Sequence, residues 1–444
     1  MPEGQRTPFP CASWTQVLVA FLAHFCTVGL SNSFGAFQTY FDHELLTSFS
    51  PFTISWIGTI QGFLANVLGI LSGPLYDKGY SKALMYFGTI LNVGGILCTS
   101  FTGKYMWIFL SFGVAVGIGC GALYVPAQAI VQSYFSEEKA PLPTGISMTG
   151  LSVGGILYPI IFGQLVDTIG FSWTCRVLAL LNGVLLLVAC LLIRPPKARE
   201  TQDTQNAEEG QQTEDPRPKL SVWAIFGDRK LLLFGFCTLL VNIVVDIPFY
   251  FIPTFVQRRL GLSPAMGNIF LAGINASSLF GRIILNWLST RSTPFFKNTP
   301  LITWQITIFG ACVMLFCWWL VRTLAGIVVF VIFYGFLVGG LITLIPSSIR
   351  ELFPDRETIG TRIGLVEAFQ GTGFLIGPPI AAAIMDSPSG YLGVSTFCGS
   401  LYFVLFLLVG VFTWRRRGPS EETPDEGLEL SNIQEETTAT RADA

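Results

Sequence analysis

Inside long apolar runs of this chain, a few ionisable side chains stand where chemistry could be done. Arg282 lies in ASSLFGRIILNWL, Glu367 in IGLVEAFQGTG, Asp246 in VNIVVDIPF and His24 in LAHF. A guanidinium is a planar fork of donors that fits a carboxylate through two parallel hydrogen bonds. Within an apolar helix it costs at least about 2.5–3.5 kcal/mol on insertion scales, so it is partnered or faces water. Arg282 is therefore expected to bind an anionic substrate group. The plainer reading is a structural arginine that snorkels to the headgroups or pairs within the bundle. Glu367 enters at a similar depth, where it could pair with Arg282 or carry a coupling proton; its plainer partner is Arg362. Asp246 stands beside Asn242 and just before Pro248 and Pro253. Prolines interrupt the backbone ladder, and broken helices line transport sites; the plainer role for Asp246 is to cap a kink. His24 could titrate near neutrality but reads more simply as a hydrogen-bonded core residue. Arg176 is expected to pair with Asp167.

The same inventory excludes much. No metal-ligand spacing, nucleophile motif or GxxxxGK occurs, so neither catalysis, a cofactor nor ATP binding is expected. The ten cysteines are scattered without a CxxC pair, and most lie in apolar runs, where a thiol behaves as a small hydrophobe. A net charge of -2 gives no footing for nucleic acid.

The elements that must position these residues are membrane spans. The chain of 444 residues is 51% hydrophobic and 12% charged, against about 25% charged in soluble proteins. A spanning helix needs about 20 mostly apolar residues. Twelve stretches qualify, at roughly 14–40, 53–76, 83–101, 105–134, 142–166, 172–193, 231–254, 264–288, 301–321, 324–349, 360–385 and 391–414. The first begins at Trp14 and is too long for a signal peptide's apolar core. Residues 195–229 are polar and almost free of apolar side chains, so they are expected to form a disordered linker between a first half (14–194) and a second half (230–414). Tails at 1–13 and 415–444 complete the chain. With the N-terminus in the cytosol, 20 of the 26 Lys and Arg residues fall on the inner side and four on the outer. That asymmetry predicts both termini and the linker in the cytosol.

The halves also match each other. The second stretch ends LGILSGPLYDKGYSK (68–82) and the eighth ends ASSLFGRIILNWLSTRS (276–292). Each brings small residues to a close-packed face and then turns in a short basic segment. Glycines at 113, 117 and 121, and at 150 and 154, form further small-residue faces suited to packing.

Two six-helix halves with matching elements resemble the major facilitator superfamily. Gly73, Asp77 and Lys78 match that family's pattern between helices two and three, with Gly79 one place early and Lys82 beyond it. The segment YFSEEKAPLPTGISMTGLSVGG (134–155), followed by Tyr158 and Pro159, resembles the monocarboxylate-transporter branch. GFSWTCR (170–176), NASSLFGR (275–282), IGTRIGL (359–365) and GTGFLIGPPIAAAIMD (371–386) are similar to its fungal members. The chain departs from the branch where CAS precedes Trp14. It departs again where Asn32 or Ser33 replaces a lysine of the animal carriers, and where Ser278 replaces an aspartate four residues before Arg282.

The resemblance implies an all-α integral membrane fold of twelve helices in two pseudo-symmetric halves. It implies a substrate contact from Arg282; together with the readings of the residues above, the substrate contacts expected are Arg282, Asn32, Glu367 and Asp246, with an inner gate worked by Asp77 and Lys78. The activity expected is secondary transport of a small organic acid or acid-bearing metabolite by alternating access. The partners expected are that solute, the lipid bilayer and a coupling proton, with a monomer as the working unit in the plasma membrane. Export of a neutral secondary metabolite is the alternative within the same fold. A transporter-fold nutrient receptor is a third reading, disfavoured by the short tails.

Overall fold

The computed structural model of the chain describes residues 10–194, 222–291, 299–355 and 357–415. Helices account for every regular element among them. Backbone hydrogen bonds within a helix are the cheapest way to satisfy polar groups where no water reaches, and these sequences are apolar enough to demand it.

Among the described residues, eleven helices are long and apolar enough to cross a membrane. One of them, Pro141–Leu192, runs for 52 residues, about 78 Å at 1.5 Å per residue, far more than one bilayer. It breaks at Gly170, whose φ of 79° and ψ of 165° are not helical. Its two arms, 141–169 and 171–192, fall on the expected spans five and six, and counted separately they make twelve segments among the described residues. We label them α1 (Ala12–Leu45), α2 (Phe52–Asp77), α3 (Ser81–Thr99), α4 (Tyr105–Tyr134) and α5 and α6 (those two arms). The second half supplies α7 (Arg229–Leu260), α8 (Pro264–Leu288), α9 (Pro300–Trp318), α10 (Leu324–Leu352), α11 (Ile359–Met385) and α12 (Gly390–Thr413).

Packing repeats with a shift of six helices. α1 lies against α5 as α7 lies against α11, and α3 against α4 as α9 lies against α10. The two most extensive crossings between the halves are α2 with α11 and α5 with α8, and the shift exchanges them. Large apolar side chains cover the outside, as at Ile90 (70% exposed) and Leu180 (68%), where lipid costs them nothing. The inside carries polar side chains that bond one another: the Tyr158 hydroxyl donates to Asn182 Oδ1, and Asn182 Nδ2 donates to Asn92 Oδ1 at 3.0 Å. The glycines at 113, 117 and 121 of α4 pack on α2 at Ile57, Gln61 and Leu64, while Gly150 and Gly154 of α5 meet α1 at Phe21 and Gly29.

The first helix of each half is broken. α1 carries a turn at Asn32 and Ser33, and α7 carries one at Val245 and Asp246. Pro248 follows the α7 break, where its missing N–H costs no hydrogen bond. Residues 195–221 of the expected linker (195–229) and most of both tails lie outside the described residues. The end of that expected linker is ordered, because Val222–Phe226 is a short helix and α7 already begins at Arg229, capped by the Asp228 side chain. Both tails are likewise shorter than expected, with helix from Pro10 and up to Arg415.

Candidate functional site

The seam between the halves holds the polar residues, and the chain enters α1 and leaves α12 at the same end of the bundle, here called the near end. At that end α2 reaches across to α11. The first turn of any helix leaves N–H groups without partners, and Thr358, at the N-cap of α11, supplies no side-chain cap. Asp77, from the other half, supplies it instead. Its carboxylate accepts from Gly360 N at 2.8 Å, from Thr361 N at 2.6 Å and from Thr361 Oγ1 at 2.6 Å. A carboxylate at a helix N-terminus also meets the positive end of the helix dipole. The contact needs close backbones. A Cβ on Gly73 would lie 2.2 Å from Gly360 O, and one on Gly364 would lie 2.0 Å from Gly69 O. Lys78 is exposed beyond the last turn of α2.

Deeper in the seam, α8 brings Arg282 against α5. Its Nε donates to Ser152 Oγ at 3.0 Å, and Ser152 Oγ in turn lies 2.9 Å from Ser278 Oγ. Only 4% of the arginine is exposed, and its Nη1 is buried with no hydrogen-bond partner. Asp246 and Tyr124 are near enough to act on its charge, yet neither closes an ion pair or hydrogen bond with it. Glu367 is 3% exposed. Its Oε1 accepts from Gln128 Nε2 of α4 at 2.8 Å, while Oε2 is buried without a partner. Gln370, one turn on, is close enough to act on the carboxyl but closes no hydrogen bond of acceptable geometry with it.

Three expected pairings are therefore corrected. Glu367 pairs with neither Arg282 nor Arg362: Gln128 of the opposite half takes its place, and Arg362 donates from Nε to Thr358 Oγ1 at 2.9 Å and stacks over Phe353 at 4.4 Å. Arg176 does not pair with Asp167. It donates to Ser100 Oγ at 3.4 Å and lies over the rings of Phe101 and Trp173 at 5.0 and 4.7 Å. Aromatic faces are good partners for a guanidinium that is half out of water.

Of the other candidates, Asn32 and Asp246 stand at the two helix breaks and His24 is enclosed in the first half. Asn32 is exposed at the α1 break. A Cβ on Gly155 would lie 3.4 Å from Asn32 Cβ and 3.5 Å from Asn275 Oδ1, so α1, α5 and α8 bring three small or polar positions together. Asp246 is partly exposed at the matching break in α7. His24 is buried with Nδ1 3.2 Å from Ser147 O, and its ring meets Tyr124 edge-on at 5.4 Å.

Reading the sequence missed Tyr124, Gln128, Ser152, Asn275 and Gln370. Asn242 Nδ2 donates to Gln370 Oε1 at 3.1 Å, tying α7 to α11. A carboxamide in mid-span was the available signal. Gln128 and Gln370 interrupt apolar stretches just as the charged residues do, but carry no charge to draw the eye.

A site of this form, closed at one end and lined by hydrogen-bonding groups with one spare guanidinium nitrogen, can hold a solute with polar or anionic groups. The chain is 33% identical over 392 residues to the MFS-type transporter pynF of Aspergillus niger, covering 88% of this chain and 85% of that protein. It is 30% identical over 409 residues to the aspyridones efflux protein apdF of Emericella nidulans, covering 90% and 77%. It is 30% identical over 393 residues to the agnestins efflux protein AgnL12 of Paecilomyces divaricatus, covering 88% and 84%. Among solved structures, the fold matches the Major Facilitator Superfamily transporter FucP in the outward conformation at a TM-score of 0.68, 14% identity and 90% and 99% coverage. It also matches the human organic anion transporter MFSD10 at 0.64, 16% identity and 92% and 100% coverage. The Major Facilitator Superfamily model matches residues 17–354 and 306–442, and with it the two pseudo-symmetric halves have their explanation: this chain belongs to the major facilitator superfamily.

Proposed function

We propose that the chain exports a small, acid-bearing secondary metabolite from the cytosol across the plasma membrane by alternating access. Two of its relatives carry names as efflux proteins, one for aspyridones and one for agnestins, which favours export. The 20-to-4 excess of basic residues favours a near end that faces the cytosol. The observation that carries the acid is Arg282, whose Nη1 is buried in the seam with nothing to donate to. A buried donor left unpaired costs about 1–3 kcal/mol, more when charged, and a substrate carboxylate or enolate would remove that cost.

The test is efflux of a panel of labelled acids from membrane vesicles bearing the full chain, with and without a pH gradient. Removing one member of a buried charged pair costs roughly 3–5 kcal/mol. Arg282→Ala should therefore weaken binding by over about a hundredfold, and Arg282→Lys should weaken it less, keeping the charge without the fork. If Arg282→Ala, folded and expressed normally, moves the native solute with unchanged affinity, the acid reading is wrong. Export of a neutral metabolite would then take its place. The many uncharged hydrogen-bonding groups of the seam, among them Ser152, Ser278, Asn275 and Gln370, favour that second reading.

A further inference from the structure

Two carboxamides of the seam are each half used, and their unused halves are complementary. Gln128 of α4 donates from Nε2 to Glu367 Oε1 at 2.8 Å, while its own Oε1 is buried with no partner. Gln370 of α11 accepts at Oε1 from Asn242 Nδ2 at 3.1 Å, while its Nε2 is buried with no partner. One is an acceptor without a donor, and the other a donor without an acceptor.

Their neighbours fix which atom is spare. Asn242 Nδ2 also lies 3.1 Å from Thr238 O, and a backbone carbonyl only accepts, so Asn242 must present its nitrogen to both partners. Gln370 therefore turns its oxygen to Asn242 and keeps its nitrogen. Gln128 faces a carboxylate, which takes a hydrogen from the amide nitrogen and leaves the amide oxygen.

Both amides stand at the Glu367 carboxyl, Gln128 through its hydrogen bond and Gln370 from one helix turn further along α11. The spare oxygen and the spare nitrogen could satisfy each other, yet no bond closes between them. Each then carries the cost of lost hydration. A third group that donates to one and accepts from the other removes both costs together. The planar cis amide of a lactam ring does this along one edge, where its N–H lies beside its carbonyl. A lactone edge offers two acceptors and sets an oxygen against Gln128 Oε1. A hydroxyl would have to serve both amides from a single atom, although they belong to opposite halves and do not meet.

We propose that Gln128 and Gln370 read a lactam edge on the solute, its N–H donating to Gln128 Oε1 and its carbonyl accepting from Gln370 Nε2. The inference rests on the reading of this seam as the solute's path and deepens it by naming a substrate class, lactam-bearing metabolites. The bound lactam completes a head-to-tail series of amides, from Asn242 through Gln370 and the solute to Gln128 and then Glu367. Every member donates in the same direction, so each bond polarises the next. The lactam also ties the first half to the second. Arg282 remains the partner of the acid, and Tyr124, one turn before Gln128, acts on both Glu367 and Arg282.

The experiment measures equilibrium binding to the full chain in lipid nanodiscs. Three planar probes carry a carboxylate on the same ring carbon: carbostyril, which is a lactam, N-methylcarbostyril, and coumarin, which is the lactone. The lactam should bind about tenfold or more tightly than either of the others. Gln128→Met, unbranched and close in size, should abolish that preference. Gln370→Met should weaken the lactam and the lactone alike, since both keep the carbonyl, and leave the preference in place. Amides with a purely structural role would weaken all three probes equally in both variants, and that result overturns the proposal. Wild-type protein that binds the three probes equally, or binds none, overturns it even where neither variant folds. Arg282→Ala should lower the affinity for all three by the same factor. If it does not, the acid reading fails while the lactam preference stands, so the two failures are told apart.

Discussion

At the α2–α11 crossing the halves meet through bare backbone and a carboxylate at the near end, whereas at α5–α8 they meet through hydroxyls around a guanidinium deeper in. The six-helix shift makes these crossings equivalents of each other, so the scaffold does not explain the difference. Each has its glycine: Gly364 rides on Gly69 in one, and Gly145 rides on the Arg282 carbonyl in the other. The charges are divided between them. α2 ends in Asp77, which caps a helix of the opposite half, while the near-end segment of α8, LNWLST, has no acid to do the same. Arg282 sits six residues before the near end of α8, and the corresponding stretch of α2 is uncharged. On the proposed function, a duplicated frame keeps its geometry and separates two tasks: one crossing would hold and release the closed state, and the other would meet the solute.

The largest expected effect comes from breaking the closer crossing outright. Gly364→Val would put carbon where Gly69 O now lies, at 2.0 Å from the added Cβ, and two helix backbones cannot yield that space cheaply. The closed near end should disappear, with transport lost and labels on the near ends held apart. A variant that still closes and transports would show that the glycine contact does not govern closure.

A smaller effect is expected from Asp77→Asn. The amide keeps one acceptor and turns donor hydrogens on the N–H groups of α11, losing hydrogen bonds to a charged group worth about 1.5–3 kcal/mol. Only interactions that differ between two states shift their populations, so turnover should fall about tenfold or more while equilibrium binding of the solute changes little. Equal losses in binding and rate, in folded protein, would move Asp77 from gating to recognition.

Least is expected of Lys78. It is exposed past the last turn of α2, and exposed substitutions away from special contacts stay within about 0.5 kcal/mol. Transport by Lys78→Ala should match wild type within about twofold. A drop as large as that of Asp77→Asn would draw the lysine into the latch.

What the sequence determined by itself was the solvent and the frame. Apolar runs of spanning length can only be helices, because lipid offers no partner to a backbone N–H. Their number, the division into halves and the unusual residues within them follow from one-dimensional patterns. Even the broken α7 was legible, since Pro248 and Pro253 announce it. The matching break at Asn32 was not, since no proline marks it. Gly170 looked like part of a short connection, and instead the two arms it separates run on as helix up to one non-helical residue.

Tertiary structure alone decided who meets whom. Glu367 and Arg282 share a half and a depth, which suggested a pair, yet the carboxyl turned to Gln128, 239 positions away. Asp167 is near Arg176 in the sequence, yet the guanidinium chose two aromatic faces and a serine. The reason is physical. Depth is set by each helix's own hydropathy, whereas the direction a side chain faces is set by the rotation of its helix against neighbours far off in the chain. Apolar periodicity constrains that rotation weakly when lipid and core are equally greasy, so close glycines and buried amides, not hydrophobicity, fix the partners.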